Sequence, residues 1–427
     1  MLTSVELFAG AGGLAMGLTL AGFRHRAVVE RDQWACDTIR RNQTRGHELV
    51  ARWPLHQGDV RDIDFASIRE PIDVVAGGPP CQPFSMGGKH RAHDDARDMF
   101  PATADAIRCL RPRAFIVENV KGLTRPAFAD YFGYILAHLE FPEIVRADGE
   151  AWTDHSRRLL RHKVSGRRTG LTYDVSFRLL NAADYGVAQK RERVFIVGFR
   201  SDLAVTPNPV GADAPFPIRR IADDPPRHGP HWPFLNPTHS LDALLADQWV
   251  SGDYWDRHRI PRAARGACPA ASRGRVARLR DRGPTGDRAW RTVRDALAGL
   301  PDPEIAPQAA RAIADHRFQP GAKFYPGHTG SSLDLPAKTI KAGDHGVPGG
   351  ENALVRLDGT GRYFTVRESA RLQSFPDSYV FGGSWSEVMR QLGNAVPVAL
   401  AHAVAAAVAR TLTPREAGSA ARTVALV

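Results

Sequence analysis

The sequence predicts an α/β fold, a doubly wound sheet with a second, smaller and irregular lobe. Two observations carry this expectation. Residues 1 to about 145 alternate short apolar runs of strand length with helix-compatible stretches, and after Arg200 the text turns Pro-, Gly- and Arg-rich with scattered Trp. Alternation of the first kind predicts a parallel sheet wrapped by helices, with ligands beyond the carboxyl ends of its strands. A chain of 427 residues is long enough to bury one large core and a smaller one.

The strand-like runs are 5–8, 26–29, 72–76 and 114–117, and each ends in a chemically distinctive residue or loop: AGAGG, Glu30, GGPPCQ and Glu118. Residues 146–172 are polar and basic, consistent with an exposed insertion. Sheet-like runs resume at 173–180 and 193–199. The stretch 201–335 reads as the separate lobe, and 336–427 as a return to the first domain, 1–200. There the Ala-rich run 399–412 predicts a buried helix.

Fifty arginines and seven lysines against 46 acids give a net charge of +11. That favours a polyanionic partner, although so strong a preference for Arg over Lys also fits GC-rich coding. Four cysteines without a CxxC pair argue against a zinc site and a disulfide framework, and for a reducing cytoplasm. No run approaches the roughly 18 apolar residues of a membrane span, and no signal-like segment opens the chain.

Phe8-Ala9-Gly10-Ala11-Gly12-Gly13 lies between a strand and a helix, where glycines permit tight turning and close backbone approach to a ligand. Glu30, some twenty residues on, is a carboxylate at a strand end, suited to ribose hydroxyls, and Asp59 is another acid at the end of a third strand. Together they suggest an adenosine-containing cofactor. The spacing GxGxxG is absent, which counts against dinucleotides. In GGPPCQPFS the prolines fix the backbone before Cys81, which presents a thiol at a strand's carboxyl end. Cys36 and Cys109, on helix-like stretches, read as inert buried residues. Arg191 and Arg193, two apart on a strand, share a face, so both guanidiniums can face the crevice.

Six blocks stand in order: FAGAGGL at 8–14, GGPPCQPFS at 77–85, ENV at 118–120, QKRER at 189–193, RLQSFP at 371–376 and GNAVP at 393–397. They resemble the ordered motifs of cytosine C5-specific DNA methyltransferases of the bacterial restriction-modification type, and frame nearly the whole chain. The resemblance implies a Rossmann-like, S-adenosylmethionine-dependent fold with 201–335 as target-recognition domain. It implies Cys81 as a nucleophile toward cytosine C6, Glu118 on N3 and the exocyclic amine, and Arg191 and Arg193 as catalytic companions. For S-adenosylmethionine, with S-adenosyl-L-homocysteine as product and no metal, it implies Phe8, Ala9, Gly10, Gly12, Gly13, Leu14, Glu30, Asp59, Val60, Gly78, Asn394 and Val396. Gln82, Ser85, Lys89 and Arg91 fall to DNA, in a loop expected to close on it. One departure stands out: Arg31 occupies a position often apolar in the family, where adenine packs.

The resemblance further implies double-stranded DNA as partner, a cognate restriction endonuclease, a monomer and a cytoplasmic location. Three other readings remain: an RNA methyltransferase with the same blocks, a non-catalytic DNA-binding regulator, and an NAD-dependent oxidoreductase. The long Arg-rich lobe favours DNA over RNA, and the last two leave PPCQ without a role. Of Trp232, Trp249, Trp255 and Trp290 in the lobe, most are expected to pack a small core.

Overall fold

The computed structural model describes residues 1–80, 98–203, 235–283, 286–324, 329–342 and 350–413. Cys81, Gln82, Ser85, Lys89 and Arg91, the expected closing loop and Trp232 lie outside the described residues.

Seven runs rich in Val, Ile and Phe pair into one sheet: β1 (Leu2–Leu7), β2 (Phe23–Glu30), β3 (Leu55–Gln57), β4 (Val74–Gly77), β5 (Ala114–Val120), β6 (Tyr173–Asn181) and β7 (Glu192–Arg200). Their order is β3-β2-β1-β4-β5-β7-β6. β1 to β5 are parallel, whereas β7 runs antiparallel to β5 and β6. The reason is length: the connection from β6 to β7 is too short for a crossover, which takes a dozen residues or more. Strand order reverses between β1 and β4, so the crevice for ligands opens beyond their carboxyl ends.

Helices α1 (Gly13–Leu20), α2 (Gln33–Thr44), α3 (Phe100–Leu110), α4 (Ala129–Glu140) and α5 (Trp152–Val164) follow the strands. Because strand side chains alternate, Val5 and Leu7 of β1 face one core with Val75, Phe115 and Val117, covered by Phe100, Ile107, Phe132 and Ile135 of α3 and α4. The opposite face, with Val74, Ala76, Ile116 and Val197, is covered by α1 and the C-terminal helix. Each fully buried Val, Leu or Phe contributes about 1.5–3 kcal/mol. The basic insertion is only partly exposed. Its helix α5 turns His155 and Leu159 into the core beside α4, leaving its arginines outside.

Beyond residue 235 the described lobe is mostly helical: α6 (Leu241–Ala246), α7 (Asp253–Arg257), α8 (Ala270–Arg282), α9 (Val293–Leu297) and α10 (Pro307–Arg311), with β8 (His239–Ser240) paired to β9 (Arg288–Ala289). Apart from α8 these helices are of five or six residues, too brief for an apolar periodicity to be read in sequence, and α8 buries only Val276 and Leu279. Trp255 and Trp290 are buried in the lobe's core and Trp249 packs against it. The chain returns through β10 (Ser331–Ser332), β11 (Ala353–Val355), β12 (Gly361–Tyr363), α11 (Val366–Leu372), α12 (Trp385–Asn394) and α13 (Val398–Leu412).

α13 packs directly on α1. A Cβ at Gly17 would fall 2.4 Å from that of Ala401, so glycine there permits the approach of the two helices. The run Trp385–Leu412 is long and apolar enough to span a membrane, yet Ala395–Pro397 divides it into α12 and α13, whose apolar sides are buried in the protein.

Candidate active site

The loop after β1 turns through left-handed backbone at Phe8 (φ 56°), Gly10 (φ 54°) and Gly12 (φ 86°). Glycine suits two of these positions and Phe8 carries the strain of the third. A Cβ at Gly13 would lie 2.2 Å from the carbonyl oxygen of Val396, so the glycine loop and the GNAVP segment are in backbone contact. Leu14 is buried on α1 beneath them. Asn394 ends α12 and is exposed.

Glu30 ties this loop to the next. Its Oε2 accepts from the Gly10 N–H at 2.7 Å, and its Oε1 accepts from Arg31 N–H at 2.8 Å and Asp32 N–H at 2.6 Å. Asp59 accepts from Arg61 Nε at 2.9 Å and Nη2 at 2.8 Å, and pairs with Arg31 Nη1 at 3.3 Å. The hydrogen bonds from Arg61 hold its carboxyl far below the usual range. Arg31 is therefore engaged with an acid at the rim, and Val60 is the buried apolar group beside it. Between these strand ends, side chains added at Gly10 or Gly58 would meet open space. An open cleft with two carboxylates, a glycine turn and the apolar Phe8 and Val60 fits an adenosyl group.

The second half of the site lies at β4 and β5. Arg193 Nε is 2.9 Å from Glu118 Oε1, with side chains only 11% and 8% exposed. Burial pushes the Glu118 carboxyl above its ordinary value, opposed by the charges of Arg193 and Arg191. The same burial lowers the Arg193 guanidinium, opposed by Glu118. A Cβ at Gly78 would lie 3.0 Å from Glu118 Oε2, and Asn119 Nδ2 donates to the Pro79 carbonyl at 3.2 Å. The turn leading to Cys81 is thus anchored on the strand that carries Glu118. A carboxyl whose affinity for a proton is raised by burial, beside a buried cation, can donate to, or stabilise charge on, a ring nitrogen.

Arg191 does not face the crevice with Arg193. It immediately precedes β7 and is wholly buried, and its guanidinium donates to the carbonyls of Ile340 (3.0 Å), Gly393 (2.6 Å) and Ala395 (2.9 Å). Its influence on Glu118 is through space. Sequence reasoning missed companions of this kind. Gln189 Nε2 donates to Leu372 O at 3.4 Å, its Oε1 accepts from Ile340 N–H at 3.1 Å, and Gln373 Nε2 donates to Leu392 O at 2.6 Å. Amides flanked by apolar residues within the motifs were the available signal. Cys36 is buried and its thiol is pushed up to about 12 by burial. Cys109, expected to be buried, is exposed on α3. Among the described residues no cluster of His, Cys, Asp or Glu is arranged to hold a metal ion.

Comparison with known proteins matches the family model of the C-5 cytosine-specific DNA methylase to residues 2–142, 154–259 and 304–410. The chain is 30% identical over 413 residues to the type II methyltransferase M.PspPI of Psychrobacter sp., covering 96% of this chain and 79% of that one. To M.Eco47II of Escherichia coli it is 31% identical over 416 residues, with the same two coverages. Among solved structures, a candidate DNA modification methyltransferase encoded within an Escherichia coli prophage superposes with a TM-score of 0.55 at 20% identity, covering 96% of this chain and 99% of that one. At that identity the superposition speaks for the fold, and the sequence matches speak for the chemistry. The chain belongs to the C-5 cytosine-specific DNA methylase family: it is a DNA cytosine-5 methyltransferase, of a family whose methyl donor is S-adenosylmethionine.

Proposed function

We propose that Cys81 is the nucleophile, and that methylation proceeds through a covalent bond between its sulfur and C6 of a cytosine turned out of duplex DNA. Cytosine C5 is a weak nucleophile until C6 is attacked. A thiol with an ordinary pKa near 8.5 is only a few per cent ionised at neutral pH, so the addition relies on charge stabilisation nearby. As the S–C6 bond forms, the electron pair moves toward N3, where the Glu118 carboxyl donates its proton. Arg193 holds that carboxyl in place. Electron density at C5 rises accordingly and C5 takes the methyl group; loss of the C5 proton, departure of the Cys81 sulfur and return of the N3 proton to Glu118 then restore the aromatic ring.

S-adenosylmethionine supplies the methyl group and leaves as S-adenosyl-L-homocysteine. Glu30 binds its ribose, and Phe8, the 9–13 backbone, Leu14, Asp59, Val60, Gly78, Asn394 and Val396 make up the rest of its site. No step needs a metal. The base must leave the stack at a cost of roughly a few kcal/mol, which contacts from 201–335 and from Gln82, Ser85, Lys89 and Arg91 offset. The role that fits is modification of a specific site as a monomer in a bacterial cytoplasm, protecting DNA from a cognate endonuclease.

One observation supports this reading: the backbone at Gly78 and Pro79, which precede Cys81 in the sequence, is held against Glu118 and Asn119, beside the Glu118–Arg193 pair. The test is bisulfite sequencing of DNA from cells expressing wild type or Cys81→Ser. Wild type should protect cytosines at one recurrent sequence and the variant none. Equal protection by the variant would end the covalent mechanism, and methylation of tRNA but not duplex DNA would end the choice of substrate.

A further inference from the structure

Helix α8 carries a charge pattern that its own packing does not use. Its thirteen residues, 270–282, hold five arginines and one acid, Asp281. Only Val276 and Leu279 are buried, in a small cluster with Leu245. At 3.6 residues per turn, the opposite side presents Ala270, Gly274, Ala277 and, at its end, Asp281. Arg273 and Arg280 border that ridge on one side, about 10.5 Å apart along the axis, and Arg278 and Arg282 on the other, about 6 Å apart.

Some arginines of the lobe are ion-paired, while others, among them Arg259, Arg262, Arg288 and Arg291, are exposed without a carboxylate partner among the described residues. Elsewhere in the lobe, Arg257 pairs with Asp247, Arg265 with Asp256 and Arg294 with Asp334. On α8 only Arg275 has such a partner, Asp242. No carboxylate among the described residues pairs with the other four, all exposed. Arg273 and Arg280 reach only backbone carbonyls, those of Cys268 and Trp249. Helix stability explains only Arg280 and Arg282, which lie in the last turn. Cations suit a helix's C-terminal turn and acids its first turn, yet α8 has no acid in its first turn and carries Arg273 in its N-terminal half.

We propose that α8 is a phosphate-binding element that seats the lobe on duplex DNA, the two arginine rows engaging the backbone on either side of a narrow ridge. The inference rests on duplex DNA being the substrate. Ala270, Gly274 and Ala277 have no groups to read base edges, so the helix positions the enzyme and leaves specificity to other residues. It lies in 260–303, between stretches matched by the family model.

The experiment is DNA binding and methylation kinetics of the full chain against salt concentration. Neutralising k phosphate contacts lowers the slope of log affinity against log salt by about 0.9k, and at 0.1 M salt each lost contact weakens binding by up to about tenfold. Arg278→Ala/Arg282→Ala should reduce the slope by about 2. The loss should fall on Kd and KM, with the methylated sequence unchanged in bisulfite reads. Arg275→Ala, whose charge is already balanced, should change the slope far less, and Asp281→Asn should tighten binding. Arg278→Lys/Arg282→Lys should restore the slope. A folded Arg278→Ala/Arg282→Ala enzyme with unaltered affinity and slope would overturn the proposal, as would an altered target sequence. Wild type that binds duplex DNA without methylating it would instead overturn the substrate reading beneath.

Discussion

Glu118 and Arg193 form a buried ion pair across adjacent antiparallel strands, Oε1 to Nε at 2.9 Å, at the carboxyl end of β5. Neither group has solvent to satisfy it, so each depends on the other.

That dependence separates two substitutions. Glu118→Ala leaves Arg193 buried without a counter-charge and should destabilise the fold by about 3–5 kcal/mol. Glu118→Gln keeps an acceptor and should shift stability far less. If Glu118 donates to the base, both should lower kcat by about 10²–10⁴. Denaturant unfolding and single-turnover methylation test the two halves separately.

The same carboxyl gives a signed pH dependence. Its pKa is raised in the folded state, so it stabilises the protein below its ordinary range and that contribution disappears as pH rises through the folded value. Methylation by the protonated form should decline over the same rise. Activity that climbs through this range, once Cys81 ionisation has been measured separately by alkylation rate, would count against protonated Glu118 as the donor.

Arg191 should behave as a structural clamp. Its guanidinium satisfies three buried carbonyls from two segments, so Arg191→Met leaves them unpaired at roughly 1–3 kcal/mol each before relaxation. We expect a clear fall in Tm and weakened S-adenosylmethionine binding, read by calorimetry. A loss of kcat with Tm unchanged would place Arg191 in the chemistry instead.

Gly13→Ala sets a Cβ 2.2 Å from the Val396 carbonyl oxygen. One segment must move, at about 1–3 kcal/mol, and cofactor affinity should fall with it. Gly10→Ala meets no neighbour within 4 Å and suffers only from its positive φ, about 1 kcal/mol. Equal effects from the two would refute the contact.

Acid should loosen the sheet's helical covering. Burial pushes His25 down to about 4, and His138 down to about 3 with help from His155. Both are neutral when folded but take up protons near 6.5 when unfolded. Their contribution is full above pH 6.5 and is lost as pH falls toward 4, by about 1.4 kcal/mol per pH unit per residue. His138→Phe should reduce the slope of stability between pH 6.5 and 4 by about 1.4 kcal/mol per pH unit in denaturant melts.

Much of the site was legible before any coordinates. The strand-end positions of Glu30, Asp59, Gly78 and Glu118 followed from apolar runs stopped by glycine or acid, because a buried parallel strand must be apolar until it emerges. Most of the lobe's helices were not legible, since a five- or six-residue helix shows too few turns to establish a period, and the longer α8 buries only Val276 and Leu279. Cys109 was misplaced for a related reason: one face of α3 is buried and the other is not, and a single cysteine does not reveal which.

Arg191 and Arg193 mark the division most clearly. The sequence by itself determined the alternating strands and helices, the chemistry at the strand ends and the family, because local composition and residue order encode them. Only the tertiary structure decided that one arginine pairs with Glu118 while the other, two positions away, holds Ile340, Gly393 and Ala395. The physical reason is that a charge's partner is set by what the fold brings within about 3 Å of it, here a carboxylate on β5 in one case and carbonyls some 150 to 200 residues along the chain in the other.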